Sequence, residues 1–150
     1  MNSGLQAVLS SLLVAAGLAV ADTKMSFSDL PAQVRTAAKE QFRGAQLVGA
    51  GSEEEHGRTI YEVETMLNGK SRDLSFDASG KLLEVEQQVE LSSIPAAAKA
   101  ALEKRSAGGN IRKVEVVTAG DSVSYEASVI TKTGKHREIA VNRDGTPHRD

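Results

Sequence analysis

The sequence predicts an α+β protein built from two tandem modules, each one helix packed on a three- to four-stranded antiparallel sheet. Three observations carry that prediction. The chain resembles itself at an offset of about 64 residues, each copy opens with a helical apolar period, and each then switches to a period of two.

The self-similarity is read from short matches. Leu30-Pro31-Ala32 recurs as Ile94-Pro95-Ala96 and Tyr61-Glu62 as Tyr125-Glu126, both 64 residues on. Gly69-Lys70 recurs as Gly134-Lys135 and Gly80 as Gly145, now 65 residues on. One residue is therefore inserted between Tyr125 and Gly134. Pro31 and Pro95 suit the first helical position, where a missing N–H is harmless. Leu30, Val34, Ala37, Ala38 and Phe42 make one apolar stripe, matched by Ile94, Ala98, Ala101 and Leu102. Gly44 and Gly108-Gly109 end the helices.

Beyond the helices, Tyr61, Val63, Thr65 and Leu67 alternate with Ile60, Glu62, Glu64 and Met66, as in a strand with one buried face. Asn68-Gly69 is a strong two-residue hairpin signal. Folding about it sets Tyr61 opposite Phe76, Val63 opposite Leu74, Thr65 opposite Arg72 and Leu67 opposite Lys70. In the second copy the loop Lys132-Thr133-Gly134 absorbs the extra residue and sets Tyr125 opposite Val141 and Ala127 opposite Ile139. Leu82 to Val89 reads as a further strand, and Gln46 to Gly51 and Ile111 to Thr118 as the first strand of each copy. Pro147 leaves the last strand of copy two short and at an edge. One helix on each sheet leaves the opposite face uncovered.

The first 21 residues carry no charged side chain, and Ala7 to Val20 is almost wholly apolar. Ala19-Val20-Ala21 is the small-x-small pattern of a signal-peptidase site, so cleavage is expected after Ala21. The expected organisation is thus a signal peptide over 1–21, a first module over 22–90 and a second over 91–150. The apolar run is short for a membrane span; an uncleaved anchor or a buried N-terminal helix are the other readings of it. The protein has no Cys, which excludes disulfides and a lipid anchored through a cleavage-site thiol. Periplasmic or secreted location follows, with no stable membrane anchor. A net charge of −2 gives no pull toward nucleic acid, and two Tyr, three Phe and no Trp give bases little to stack on.

A Leu/Ile-Pro-Ala helix start, the strand Tyr61-Glu62-Val63-Glu64 and the turn Asp77-Ala78-Ser79-Gly80-Lys81 resemble PepSY-like domains over nearly all of Phe27 to Asp150. Copy two departs where Ala127-Ser128 replaces Val-Glu and Thr146-Pro147 follows the last turn. The resemblance implies an architecture similar to that of β-lactamase-inhibitor proteins, in which paired modules present one sheet face to an enzyme. It implies a protein that binds another exported protein, such as a peptidase or other hydrolase, and it carries over no catalytic residue.

The uncovered face is expected to present Ile60, Glu62, Glu64, Met66 and Asp73, with Glu84 and Glu86 beside them and Glu126, Ile130 and Glu138 from copy two. Glu64 lies opposite Asp73, and one register of the next strand would set Glu84 beside Asp73 in an acidic row. Three readings are open: a solvated face, a docking surface for a basic partner, and a weak calcium site built from oxygen ligands. Tyr61 and Tyr125 read as core anchors. His56, His136 and His148 have no metal-ligand spacing, and Glu53-Glu54-Glu55-His56 reads as a hairpin tip. The Asp77 and Asp144 turns lack the further ligands of a calcium loop. No nucleophile elbow, phosphate loop or metalloprotease motif is present. The sequence therefore predicts a non-enzyme without cofactor or assigned metal ligand, with an envelope ligand or calcium binder as the alternative.

Overall fold

A computed structural model describes residues 23–149; the N-terminal apolar run and the expected cleavage after Ala21 lie outside the described residues. Eight strands form one antiparallel sheet whose spatial order follows chain order. They are β1 (Thr23–Met25), β2 (Gln46–Glu55), β3 (Arg58–Leu67), β4 (Lys70–Phe76), β5 (Leu82–Val89), β6 (Asn110–Ala119), β7 (Ser122–Ile130) and β8 (His136–Asn142). Helix α1 (Ala32–Gln41) precedes β2, and α2 (Ala96–Arg105) precedes β6. No helix among the described residues is long and apolar enough to cross a membrane.

This corrects the layout of two modules with a sheet each. β5 pairs directly with β6, from Glu84 opposite Ala119 to Val89 opposite Val114, so the sheet is continuous. The physical reason is the edge. An outer strand presents a row of unpaired N–H and C=O groups, and pairing β5 with β6 removes two such edges at once.

Parity along the ladder decides which face each helix covers. Leu74 lies opposite Val85, Val85 and Val89 share a face, and Val89 lies opposite Val114. Leu74 packs under α1 with Leu30, Val34, Ala38, Val63 and Phe76. Val114 packs under α2 with Ala98, Leu102, Ala127, Val129 and Val141. Both helices therefore lie on the same face of one sheet. Tyr125 is buried in the α2 cluster and Tyr61 packs against the α1 cluster, as anchors do.

Local signals act much as their chemistry demands. Pro31 and Pro95 sit one position earlier than expected, as N-caps, and their carbonyls accept from Arg35 and Lys99 N–H at 3.0 and 2.9 Å. Both expected hairpin registers form, Val63 with Leu74 and Tyr125 with Val141. The first hairpin turns at His56 and Gly57, with Glu53 to Glu55 already inside β2. Beyond β8, Pro147 makes only an isolated bridge to Val141.

Asp77 Oδ1 accepts from the N–H groups of Ser79 and Lys81 at 2.9 and 3.1 Å, and Asp144 Oδ1 from Thr146 N–H at 2.9 Å. Hydroxyl bonds from Ser79 and Thr146, together with these backbone contacts, hold both carboxyls below the usual carboxylate range. Each turn ends on a glycine tucked against a helix. A Cβ on Gly80 would lie 2.7 Å from the Gln33 carbonyl oxygen, and one on Gly145 would lie 2.7 Å from that of Ala97.

Two outcomes test this architecture. Gly80→Ala and Gly145→Ala add a backbone clash to a positive φ and are expected to lower stability by about 2 kcal/mol or more each in urea unfolding. Gly69→Ala, which has open space around it, should cost about 1 kcal/mol. Amide hydrogen exchange reads the junction: β5 and β6 amides should be protected as strongly as those of the β3–β4 hairpin, whereas separate sheets would leave one edge of β5 exchanging fast.

Candidate functional site

The face opposite the helices carries the alternate residues of every strand, so its composition follows from the same parity that builds the core. The β3–β4 register sets Glu64 opposite Asp73 and Glu62 opposite Ser75. The next ladder resolves the choice the sequence leaves open: Asp73 faces Glu86, and Glu84 faces Ser75. A register shift between Ser75 and Phe76, whose partners are Glu84 and Leu82, leaves Leu83 as the extra residue. The acidic row across three strands is thus Glu64, Asp73 and Glu86, not Glu64, Asp73 and Glu84.

β6 brings a residue the sequence reading missed. Glu115 lies opposite Glu126 on one side and Gln88 on the other. Strand alternation around Val114 points Glu115 away from the helices, but nothing local says that β6 lies beside β5. Among the described residues one group of metal-competent side chains comes together: Asp73, Glu86 and Glu115, each offering an oxygen within 4.8 Å of the others. No histidine joins it. His56 and His136 are exposed, and His148 Nδ1 lies 2.8 Å from Asn142 Oδ1.

The expected site residues divide by exposure. Glu62 and Glu86 are buried, while Glu64, Met66, Asp73, Glu84, Glu126, Ile130 and Glu138 are half-buried. Ile60, expected to stand exposed beside the acids, is 4% exposed and presents no apolar patch. Its side chain shares the face with that of Glu62 and lies across the ladder from Glu53, whose longer side chains flank it. The large apolar side chains that do stand out are Leu47, Val48 and Val123. Leu47 and Val123 pair with Thr65 and Thr118, on the helix side of the ladder.

Electrostatics follow from crowding like charges. Glu86 sits on a central strand with Asp73 and Val117 across the ladder and Glu84 and Gln88 along it, which leaves it little water. Burial first, then the charges of Glu115, Glu84, Glu126 and Asp73, push its carboxyl far above the usual range. Burial likewise raises Asp73 to about 6, opposed by Lys113 and reinforced by Glu115 and Glu64. Lys113 Nζ lies 2.9 Å from Glu115 Oε1 and neutralises one charge of the group. The arrangement is suited to holding positive charge.

Residues 31–86 match the family model described as peptidase propeptide and YPEB domain, PepSY. Among curated proteins no sequence match is found. Solved structures share the fold over about four-fifths of the chain. A candidate periplasmic protein from Bacteroides eggerthii is 18% identical, with a TM-score of 0.64 over 80% of this chain and 86% of that one. A DUF2874-family protein from Bacteroides uniformis is 19% identical, with a TM-score of 0.63 over 79% and 86%. A BLIP-like protein from Bacteroides fragilis is 18% identical, with a TM-score of 0.57 over 79% and 84%. The chain therefore carries a PepSY-type segment over residues 31–86 within a fold like that of these Bacteroides proteins.

Proposed function

We propose that this chain is an exported, non-enzymatic binding protein that modulates or inhibits another exported protein, such as a peptidase or other hydrolase, through its uncovered sheet face. The observation that carries the reading is that face itself. Both helices pack on one side of the sheet, and the other side carries acids on adjacent strands from Glu62 and Glu64 to Glu126 and Glu138, with Lys113 among them. A surface of one sign steers an oppositely charged partner and selects against others. The partner on this reading presents a basic loop or patch.

Export is supported by the uncharged first 21 residues and their small-x-small end, with Thr23 opening β1 two residues beyond Ala21. The location of the B. eggerthii protein points the same way. The absence of a recognised catalytic motif from the sequence supports a binding role. The same reading takes residues 22–90 and 91–150 as two copies of one module. Matched features at an offset of 64 support it: bulges at Val48 and Arg112, left-handed residues Arg43 and Ala107, and helix carbonyls of Gln33 and Ala97 that each touch a turn glycine.

The test uses residues 22–150 to capture partners from the organism's own extracytoplasmic fraction, followed by inhibition assays on the captured protein. Stoichiometric inhibition of a captured hydrolase is expected. Glu64→Lys combined with Glu126→Lys should weaken capture by about tenfold or more while leaving the melting temperature within a few degrees of the parent. Undiminished capture by that variant would remove the acidic face as the interface.

A further inference from the structure

We propose that Asp73, Glu86 and Glu115 form a binding site for a hard divalent cation of the size of calcium at the centre of the uncovered face. The proposal goes beyond the protein-binding function and does not rest on it. Three carboxylates on three adjacent strands each turn one oxygen to a common point, and those oxygens lie within 4.8 Å of one another. Calcium holds oxygen ligands at about 2.3–2.6 Å, so two ligands across one ion stand at most about 5 Å apart. The spacing is that of ligands sharing an ion. An all-oxygen donor set with no nitrogen or sulfur suits a hard cation.

Glu86 supplies a second observation. Its side chain is buried, 5% exposed, and its Oε2 has no hydrogen-bond partner. A buried carboxylate oxygen without a donor is costly, and the residues that flank this one across the β4 ladder and on β6 are themselves acids. What completes such an oxygen is a positive charge. Lys113 supplies one, but its Nζ lies on Glu115 Oε1, at 2.9 Å. With all three carboxylates ionised as ligands and one ammonium beside them, two negative charges remain, which a divalent ion balances. A neutral oxygen is also at hand: Ser71 Oγ lies 3.4 Å from Glu115 Oε1. The strands that carry the ligands are rigid. Glu115 reaches the other two only because β6 pairs with β5.

Calcium chloride titrated into the protein, followed by calorimetry and thermal unfolding against magnesium chloride and ionic-strength-matched sodium chloride, tests the site. For the millimolar affinity usual of extracellular calcium modules, 10 mM calcium is expected to raise the melting temperature by about 4–8 °C. Glu86→Gln keeps the shape of the side chain and removes its charge. It should fold with at least the parent's stability in the absence of metal and lose the calcium shift, while Glu64→Gln, outside the three, keeps the shift. A parent protein that responds to calcium no more than to matched magnesium or sodium would overturn the proposal. So would a Glu86→Gln variant with an undiminished calcium response, because the charge of Glu86 would then not be a ligand.

Discussion

The pairing of β5 with β6 is the interaction on which the rest of the molecule depends. Eight strands at about 4.8 Å spacing make a sheet roughly 34 Å wide, whereas a helix with its side chains is about 10 Å across. One helix therefore cannot cover the sheet. Two on the same face cover twice as much of it, and the β5–β6 ladder fixes them there by carrying the parity of Leu74 across to Val114. Had the two halves closed on separate sheets, each would expose an edge to other chains. The junction also determines what the other face can do, since it sets Glu86 and Glu115 on neighbouring strands.

Such a face poses a problem of solubility and another of repulsion. An uncovered sheet lined with aliphatic residues would be a broad sticky surface. Acids at Glu64, Glu84, Glu126 and Glu138 keep it hydrated, but a sheet sets residues directly opposite one another, so the acids meet. Glu64 with Asp73, Asp73 with Glu86 and Glu115 with Glu126 are like-charged pairs across ladders. Each is unfavourable by a few tenths of a kcal/mol or more. A protein needing solubility alone would interleave lysines. This one instead gathers negative charge toward its central strands and leaves Lys113 as the cation at the cluster.

How much of this was legible in the sequence depends on the range of the signal. Asn68-Gly69 fixes a register because two residues leave the strands no freedom, so Glu64 opposite Asp73 could be read directly. The strand after Asp77 to Gly80 follows a longer turn, and the extra residue at Leu83 shifts its ladder by one, which moved Glu86 rather than Glu84 into the acidic row. The β5–β6 ladder is beyond local reading altogether: helix α2 lies between the two strands, and no turn residue dictates that they meet. β1, with three residues, is too short to show a period. Ile60 was misjudged for a related reason. Alternation tells which face a side chain points to, but not how closely its neighbours stand around it.

The acids and the core are not independent of each other. On β4, Arg72 turns to the helix side and donates through Nη1 to the Gln41 carbonyl at 2.8 Å, closing the end of α1 with a positive charge. Asp73 turns to the uncovered face and Leu74 is fully buried beneath α1. A slip of one residue in this strand would put Leu74 in water and Asp73 against Val34, which no partner on the open face could offset. The register of the acids is therefore held by apolar contacts on the opposite side of the sheet. Residues on this face can change identity without disturbing the fold, because their positions are set by the core and not by one another. The same separation is consistent with similar architectures recurring at 18–19% identity.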